Sequence, residues 1–366
     1  MKKRFWLLSL LSLLLIGCNK VEKTEDFVVG VKNKKGETVQ ILNTTVFLRT
    51  YDTKTFDNLF PTYTSLIQRI HKESDRYNEY TEYSDIFKLN RDGSVSTNAE
   101  VIDIIDNVLE LSALTDYKFN PSLGPLIDVW SPLFNNSNNT DPSTEDIENA
   151  LSMIATSNIE DYFDIDRDTN TIAYKDKNLV LDLGAYVKGY ALEKAYAAFS
   201  ENDQPLMIYA GGSSIILKGV KPYANGNWII DIDNPDNYLS SVAQLYLKGT
   251  HTISTSGDYQ KYFVNDNGIR RHHILNPLTG YPIDTYRSIT VYSNKRADVL
   301  DALTTALFNC SNDDEFKVLI SKVEAHYDME IEYIYVKEES GKNYLGVSKG
   351  AKDVIKNAKL EVREVE

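Results

Sequence analysis

Residues 181–190 have the sequence LDLGAYVKGY, which indicates a strand that turns directly into a helix. We predict the strand at residues 178–183 and the helix at residues 188–199. Such a junction gathers free backbone N–H groups and the positive end of the helix dipole at one point, which favours a bound phosphate. Gly184 and Gly189 would allow a ligand or another backbone to approach closely. A tight strand–helix turn without a ligand explains this stretch at least as well.

Downstream of this junction the sequence predicts mostly strands. Gly211 and Gly212 follow the first of them and would let a ligand lie directly on the backbone. Taken alone, the pair is better explained by a β-bulge or a bend. Asn267-Gly268 predicts a hairpin with a type I′ turn. The strands are expected at residues 206–209, 214–217, 228–232, 242–247, 252–254 and 287–292.

Apolar residues at helical spacing predict helices at residues 57–77, 99–115 and 297–308, and residues 27–52 indicate two or three strands. This mixed order predicts an α+β fold with mixed or antiparallel sheets and packed helices. The phosphate-binding patterns GxGxxG and GxxxxGK[ST] are absent from the sequence. The sequence therefore argues against Rossmann and P-loop architectures.

Two patterns in the last third of the chain suggest chemistry. Asp301 and Thr305 stand four residues apart on one helix face, where their oxygens suit a hard cation such as Mg²⁺. In isolation, a carboxylate that interacts with the helix dipole is the better explanation of Asp301. His272 and His273 are adjacent in a strand, so their side chains face opposite sides and at most one lines a given pocket. For each histidine, a half-buried strand residue is the alternative.

The first residues of the chain predict an export signal of the lipoprotein type. Residues 1–17 combine a basic start with a short apolar run, and LIGC at residues 15–18 matches the sequence that a lipoprotein signal peptidase cleaves. We expect Cys18 to be acylated, which would anchor the protein to the membrane on its extracytoplasmic side. An ordinary secretory signal or a short membrane anchor is the alternative.

The remaining chain suits one folded unit with a tether at its start. Residues 18–26 are polar and are expected to form the lipidated tether. Residues 27–350 would form a domain of two coupled subdomains, and residues 351–366 a C-terminal tail. Cys310 is the one other cysteine and is expected to be a small core residue.

The net charge limits the possible partners. It is −14 at neutral pH, which argues against nucleic acid as a partner because phosphate backbones are bound by basic surfaces. An anionic ligand would have to be held locally, by backbone N–H groups, a metal or a few cations.

Seven segments, taken in order, resemble the ApbE family of FAD:protein FMN transferases. The resemblance covers most of residues 40–310, with local departures. Asn120 and Asn276 replace the usual Asp, Asp85 replaces Glu, Phe87 replaces a small polar residue, and residues 42–44 read LNT where many members have MGT. The seven segments are YTEYSDIFKLN (80–90), FNPSLGPLIDVW (119–130), DLGAYVKG (182–189), AGG (210–212), TSGDY (255–259), HILNPLTG (273–280) and ADVLDALTTALF (297–308).

The resemblance implies a fold and a reaction. The expected body is α+β and T-fold-like, with FAD bound between its parts. The expected activity is transfer of FMN from FAD to a Ser or Thr hydroxyl of an acceptor redox protein, with release of AMP. A divalent metal is implied near the pyrophosphate, with Mg²⁺ expected and Mn²⁺ or Ca²⁺ as alternatives.

The resemblance also implies roles for individual residues. His273 is our candidate base, because a neutral imidazole titrates near neutral pH and can accept a hydroxyl proton. The metal would be ligated by Asp301 and Thr305, with oxygens of Ala185 and Thr304 nearby. The residues expected to hold FAD are Tyr80, against one of the rings, and Asp182, Lys188, Gly211, Gly212 and Ile274.

Two other functions also fit the sequence. The same metal site would serve an FAD pyrophosphatase, in which water replaces the acceptor hydroxyl. An exported, non-enzymatic flavin-binding lipoprotein fits the anchor and the acidic surface. A pure binder, however, needs neither the Asp301–Thr305 pair nor His273.

Overall fold

The computed structural model describes residues 23–27, 30–135 and 139–365. The predicted signal peptide, residues 1–17, and the predicted acylation site, Cys18, lie outside the described residues. Among the helices of the described ranges, none is long and apolar enough to cross a lipid bilayer.

The described residues alternate irregularly between helices and strands. The helices are α1 (Thr53–Ser74), α2 (Asp85–Asp92), α3 (Ala99–Leu114), α4 (Gly124–Trp130), α5 (Thr144–Leu151), α6 (Val187–Ala198), α7 (Ala297–Phe308), α8 (Asp313–Tyr327) and α9 (Lys349–Val354). The strands are β1 (Lys23–Phe27), β2 (Gly30–Lys32), β3 (Thr38–Gln40), β4 (Val46–Thr50), β5 (Ser94–Ser96), β6 (Phe163–Asp166), β7 (Thr171–Tyr174), β8 (Leu206–Ala210), β9 (Ser214–Lys218), β10 (Asn227–Asn234), β11 (Asn237–Lys248), β12 (His251–Gly257), β13 (Tyr262–Val264), β14 (Arg270–His272), β15 (Ser288–Ser293), β16 (Glu332–Glu339), β17 (Lys342–Val347), β18 (Ile355–Lys356) and β19 (Glu361–Glu364).

The largest sheet of the described chain has nine strands, in the order β1-β4-β8-β9-β12-β15-β16-β17-β19. Its neighbouring strands are antiparallel, apart from the parallel pair β17 and β19. Smaller sheets are formed by β10-β11-β18, β5-β7-β6, β13-β14 and β2-β3. The predicted α+β class is confirmed.

The large sheet is covered on both faces because its central strands are apolar on both sides. In β8 and β9, Ile208 and Ile216 belong to the core that contains α1, α6 and α7. Met207, Ile215 and Leu217 belong to a second core, which also contains side chains of β10 and β11. The alternation follows the two-residue period of a strand. Each large aliphatic side chain buried in this way contributes roughly 1.5–3 kcal/mol.

Helix α7 is buried around nearly its whole circumference, which explains why its sequence is apolar on all sides. It packs against α6, β12 and β15. Two carboxylates, Asp298 and Asp301, are each 4% exposed in this helix. Asp298 pairs with Arg296 at 2.9 Å and accepts a hydrogen bond from the Tyr186 hydroxyl at 3.2 Å. Asp301 faces α6 instead.

A third apolar cluster joins α4 and α5 to the β13–β14 hairpin. Trp130 and Ile147 pack there with Phe263. The Trp130 indole N–H donates to the Gly280 carbonyl oxygen at 2.9 Å. Gly280 has φ +75°, and a Cβ atom there would lie 2.4 Å from Ile147 Cγ2. This cluster fixes the segment after β14 relative to α4.

The predicted helices are confirmed, with small shifts at their ends. Residues 57–77, 99–115, 188–199 and 297–308 correspond to α1, α3, α6 and α7. The six strands predicted downstream of residue 200 correspond to β8, β9, β10, β11, β12 and β15. Cys310 is fully buried in the main core, as predicted, and burial raises the pKa of its thiol to about 12.

The strand predicted at residues 178–183 is wrong. The segment is not part of a strand ladder, because its backbone groups find other partners. The Asn90 side-chain amide bonds both the N–H and the carbonyl oxygen of Leu181, each at 2.9 Å. The Gly124 N–H donates to the Val180 carbonyl oxygen at 3.2 Å. These contacts satisfy the backbone without a neighbouring strand.

The structure also changes two expected boundaries. Residues 23–27 form β1 and pair with β4, so the sheet begins inside the predicted tether of residues 18–26. Residues 351–365 do not form a separate tail, because they contribute the end of α9, β18 and β19 to the fold. The C-terminal residues join the fold because two of their apolar side chains, Leu360 and Val362, pack against the second core.

The predicted hairpin at Asn267-Gly268 is confirmed as β13–β14, but its turn type is wrong. A type I′ turn requires positive φ at both central residues. Gly268 has φ +78°, whereas Asn267 does not have a positive φ. The Asn265 side chain accepts hydrogen bonds from the N–H groups of Asn267 and Ile269, at 3.0 and 2.9 Å, and holds a longer loop.

Candidate active site

A cavity of about 390 Å³ lies where α1, α4, α6 and α7 meet. Residues 42–44, 255–257, 260–261 and 273–275 complete its walls. Apolar side chains line the part beside α4, namely Leu123, Ile127, Trp130 and Phe134. The charged residues of the wall are Asp75, Arg76, Asp182, Lys188, Lys261 and Asp301. An apolar cleft with a few convergent polar groups is the usual form of a small-molecule site.

Gly189 brings α6 and α7 close enough to shape this cavity. A Cβ atom at Gly189 would lie 2.2 Å from the Ala297 carbonyl oxygen and 2.8 Å from Asp301 Cβ. The absence of a side chain lets the Gly189 N–H donate to Asp301 Oδ2 at 3.0 Å. Ser214 Oγ, at 3.2 Å, donates to Asp301 Oδ1. The Asp301 carboxylate is thereby held at the helix crossing, where it also lines the cavity.

The residues proposed from the sequence to bind metal are partly brought together. Ala185, Asp301 and Thr305 all line the cavity. Thr304 lies behind the wall: its hydroxyl donates to the Asp301 carbonyl oxygen and accepts from Ser256 Oγ, both at 2.9 Å. One carboxylate, one hydroxyl and a backbone carbonyl suit Mg²⁺, which commonly uses one or two carboxylates plus substrate phosphates and waters. The described residues contain no group of three His, Cys, Asp or Glu side chains that could hold a metal by themselves.

The start of α6 places the Lys188 ammonium group beside Asp301. Lys188 Nζ donates to the Gly184 carbonyl oxygen at 2.9 Å and lies 3.5 Å from Asp301 Oδ2. Asp182 also lines the cavity, and its carboxylate accepts from the Gly184 N–H at 2.8 Å. The residues around the predicted strand–helix junction are therefore gathered at the cavity, although the strand itself is absent from the described structure there.

The glycine pair after β8 divides between the wall and the layer behind it. Gly211 lines the cavity with φ +66°, and a Cβ atom there would lie 2.2 Å from Thr44 Oγ1. Gly212 has φ +72°, and a Cβ atom there would lie 2.7 Å from the Tyr209 hydroxyl. Both positions require glycine for backbone reasons, but Gly211 is the one that presents its backbone to the cavity.

His272 and His273 face opposite ways, as predicted. His272 is 2% exposed, and its Nε2 bonds the Ile283 carbonyl oxygen at 2.9 Å. His273 lines the cavity, and its buried Nδ1 has no hydrogen-bond partner among the described residues. Burial, with His272 and Lys261 adding smaller effects, lowers the pKa of His273 to about 3. The ring is therefore neutral at physiological pH.

Tyr80 does not reach the cavity, contrary to the expectation that it contacts a ring of FAD. It is 1% exposed, and its hydroxyl donates inward to Asp75 Oδ2 at 2.6 Å. Tyr77, three residues earlier, lines the cavity and is 52% exposed. Its ring stacks against the Arg76 guanidinium at 4.2 Å. Among the described residues, Tyr77 is thus the tyrosine that lines the cavity.

Arg76 is a cavity residue that the sequence did not reveal. Its Nε donates to Asp182 Oδ2 at 2.7 Å, and its Nη2 donates to Asp128 Oδ1 at 2.6 Å. The guanidinium therefore joins α4 to the turn before α6. His71, Arg76 and Tyr77 lie in a polar stretch without a motif of its own, so no sequence signal marked them.

Most residues singled out from the sequence do meet in the cavity. Those that line it are Asp182, Ala185, Lys188, Gly211, His273, Ile274, Asp301 and Thr305. Those that lie behind its wall are Tyr80, Gly212 and Thr304.

Comparison with known proteins identifies the family. The model of the ApbE family matches residues 42–327. The chain belongs to the ApbE family. An FAD:protein FMN transferase of Vibrio cholerae is 26% identical over 317 residues, which cover 83% of this chain and 87% of that protein. One from Klebsiella pneumoniae is 30% identical over 217 residues, covering 58% of this chain and 63% of that protein.

Solved ApbE structures share the architecture. The ApbE protein of Thermotoga maritima superposes with a TM-score of 0.70 at 26% identity, covering 90% of this chain and 99% of that one. The flavin transferase ApbE from Vibrio cholerae gives a TM-score of 0.68 at 21% identity, covering 91% of this chain and 100% of that one. The ApbE fold predicted from the seven segments is confirmed.

Proposed function

We propose that this protein transfers FMN from FAD to a Ser or Thr hydroxyl of an acceptor protein and releases AMP. The observation that carries the proposal is one cavity lined by a neutral imidazole (His273), a cation (Lys188) and the oxygens of Asp301, Thr305 and Ala185. The names of the similar proteins from Vibrio cholerae and Klebsiella pneumoniae support transfer of FMN from FAD to a protein.

The reaction requires one P–O bond to form and one to break. The acceptor oxygen bonds to the FMN phosphorus, while the bond from that phosphorus to the oxygen bridging to AMP breaks. The bridging oxygen leaves with AMP. The hydroxyl proton needs an acceptor in the cavity, and His273 is the neutral base that lines it.

His273 requires help from the substrate to act as a base. In the free protein burial is the main cause of its low pKa, and the positive charges of Lys261 and Lys188 lower it further. A bound pyrophosphate would bring negative charge beside these cations and raise the pKa of the imidazole. We therefore infer that the base becomes effective when FAD is in place.

The oxygen set beside His273 fits a divalent metal. When bound there, such a metal would withdraw charge from the pyrophosphate and from the leaving AMP. Asp301 would supply a carboxylate ligand, and its orientation is fixed by the hydrogen bond from the Gly189 N–H. Mg²⁺ matches this hard oxygen set, with Mn²⁺ and Ca²⁺ as alternatives.

Other residues would hold FAD without reacting. The Lys188 ammonium and the Gly211 backbone would lie beside the phosphates, and Tyr77 would stack on a ring. The carboxylate of Asp182, which accepts a hydrogen bond from Arg76, would accept further hydrogen bonds from the ligand. The apolar wall beside α4 would exclude water from a bound ring system.

The test is acceptor labelling with and without EDTA. The purified protein is incubated with FAD, Mg²⁺ and an exported redox protein of the same host, and flavin fluorescence is read on a denaturing gel. Fluorescence in the acceptor band that EDTA removes supports transfer. Free FMN and AMP without a labelled band would indicate a pyrophosphatase, and bound but intact FAD would indicate a binding lipoprotein.

We further propose that the protein acts on the extracytoplasmic side of the membrane, held there by acylated Cys18. The lipoprotein signal in residues 1–18 supports this placement. Its acceptors would then be membrane-bound or exported redox proteins that present the target hydroxyl on the same side.

A further inference from the structure

A chain of buried, hydrogen-bonded side chains forms part of the cavity wall, where His71 and Asp75 line the cavity and Tyr80 lies behind them. Its members are His71, Tyr80 and Asp75, of which His71 is 4% exposed and Tyr80 is 1% exposed. His71 Nδ1 accepts a hydrogen bond from the Leu42 N–H at 3.2 Å. His71 Nε2 lies 3.1 Å from the Tyr80 hydroxyl oxygen, and that hydroxyl donates to Asp75 Oδ2 at 2.6 Å.

The direction of these hydrogen bonds fixes the state of His71. A backbone N–H is a donor, so Nδ1 has to be unprotonated to receive it. In a neutral ring the proton then sits on Nε2 and is donated to Tyr80, whose own proton goes to Asp75. The Asp75 carboxylate is itself held by the Tyr77 N–H at 2.8 Å. Each of these three side chains is thereby assigned as a hydrogen-bond donor or acceptor that matches its neighbour.

The backbone held by His71 is strained. Leu42 has φ +48° and Asn43 has φ +51°, a left-handed conformation that non-glycine residues seldom adopt. Such residues persist where the surrounding structure over-determines them. Neither residue is glycine, so this chain forms the turn without the residue that would adopt it most easily.

The strained turn forms part of the binding surface. Leu42, Asn43 and Thr44 all line the cavity. Thr44 packs so closely on Gly211 that a Cβ atom at Gly211 would lie 2.2 Å from Thr44 Oγ1. The Gly211 N–H also donates to the Thr45 carbonyl oxygen at 2.9 Å. A shift of the turn would therefore move the glycine backbone that faces the ligand.

We propose that His71 is a positioning residue for the bound flavin nucleotide, because its Nδ1 holds the left-handed Leu42–Asn43 turn in the cavity wall. Tyr80 and Asp75 keep His71 in the tautomer that this hydrogen bond requires. The inference rests on the proposed function for the identity of the ligand. It assigns His71 no contact with the reacting atoms.

The test compares three substitutions of His71 by direct FAD binding and by steady-state kinetics. His71→Phe fills the ring volume but offers no acceptor to Leu42. His71→Asn places its side-chain oxygen where Nδ1 stood, whereas His71→Gln reaches toward Tyr80 and leaves Leu42 without a partner. His251→Phe is the matched control, because the His251 ring bonds the Lys248 carbonyl oxygen at 3.1 Å, outside the cavity.

We expect His71→Phe and His71→Gln to weaken FAD binding about 10-fold or more, since the partly buried Leu42 N–H loses its partner. The value of kcat at saturating FAD should change by less than about 2-fold, because chemistry takes place at His273 and Asp301. His71→Asn should recover most of the affinity, and His251→Phe should leave it unchanged. If His71→Phe does not fold, the difference in FAD affinity between His71→Asn and His71→Gln tests the proposal.

Equal loss in His71→Asn and His71→Gln would overturn the proposal, as would full FAD affinity in His71→Phe. A loss of kcat with unchanged affinity would overturn it as well. Failure of the wild-type protein to bind FAD would instead contradict the proposed function, so the two failures are distinguishable.

Discussion

Gly189→Ala should weaken the hydrogen bond that holds Asp301, the candidate metal ligand, against the start of α6. The added Cβ atom would lie 2.2 Å from the Ala297 carbonyl oxygen, a contact that neither backbone can accept. The helices would have to separate by about 1 Å, and overpacking of this kind typically costs about 1–3 kcal/mol. The same movement stretches the 3.0 Å hydrogen bond from the Gly189 N–H to Asp301.

A hydrogen bond to a charged group is worth about 1.5–3 kcal/mol. The two effects are not additive, because the movement that relieves the clash is the one that weakens the bond. We expect the free energy of unfolding to fall by about 2–3 kcal/mol in total. Displacement of a catalytic group by about 1 Å can lower the rate roughly 10²-fold, so FMN transfer should fall by that order.

The assay combines urea unfolding with initial rates of acceptor labelling over a range of Mg²⁺ concentrations. Ala197→Gly is the control, because Ala197 is exposed in the last turn of the same helix and its replacement lowers helix propensity by up to about 1 kcal/mol. The control should lose stability and keep its rate. A folded Gly189→Ala protein with the wild-type rate would refute the role of the helix crossing in positioning Asp301.

Four further outcomes are expected. Asp301→Ala should abolish metal-dependent FAD cleavage while far-UV circular dichroism stays unchanged; retained activity at ordinary Mg²⁺ would place the ligands elsewhere. His273→Ala should slow single-turnover transfer by roughly 10²–10⁴-fold, whereas His272→Ala should mainly lower the melting temperature; equal rates in both would remove His273 as the base. Cys18→Ala should release the protein from membranes or leave its signal uncleaved, and unchanged fractionation and mass would contradict lipidation. The free energy of unfolding should decrease as the pH falls from 6.5 toward 4. Burial lowers the pKa of His272 to about 4 and that of His273 to about 3, so these histidines take up protons at a higher pH in the unfolded chain than in the folded protein. Urea midpoints that stay constant across this pH range would contradict the prediction.

The sequence predicts elements well where the signal is local. Helix α7 was bounded correctly at residues 297–308 because an apolar pattern around the whole helix and its flanking polar residues mark both ends. The β8 and β9 strands follow from short apolar runs bounded by turn residues. Such features depend on neighbours along the chain, so one sequence is enough to find them.

Features that depend on distant partners were missed. Residues 178–183 look like a strand, but the Asn90 side chain takes the place of a neighbouring strand. Tyr80 matched a family segment, yet the buried hydrogen bonds to His71 and Asp75 turn it away from the cavity. Nothing in a polar stretch of sequence shows that Tyr77 is the tyrosine that lines the site. Only the packed structure brings these contacts together.

The candidate site was predicted only in part, because some of its residues are close in sequence and others are not. Asp301 and Thr305 share a helix face, and helical spacing alone places them together. Thr304, one residue away, points to a different side and bonds Ser256. That Lys188 and His273 line the same cavity as Asp301 could be predicted only from the resemblance to the ApbE family, since these residues lie in separate segments of the chain.

In the proposed reaction, FAD cleavage and acceptor modification are one chemical event. The most direct measurement is the ratio of AMP released to flavin covalently bound, taken in a single turnover with excess acceptor. Chromatography gives the AMP, and mass spectrometry of the acceptor gives the bound FMN. We expect one AMP for each FMN attached to a Ser or Thr oxygen, with both products lost in Asp301→Ala. Release of AMP together with free FMN, while the acceptor stays unmodified, would contradict it.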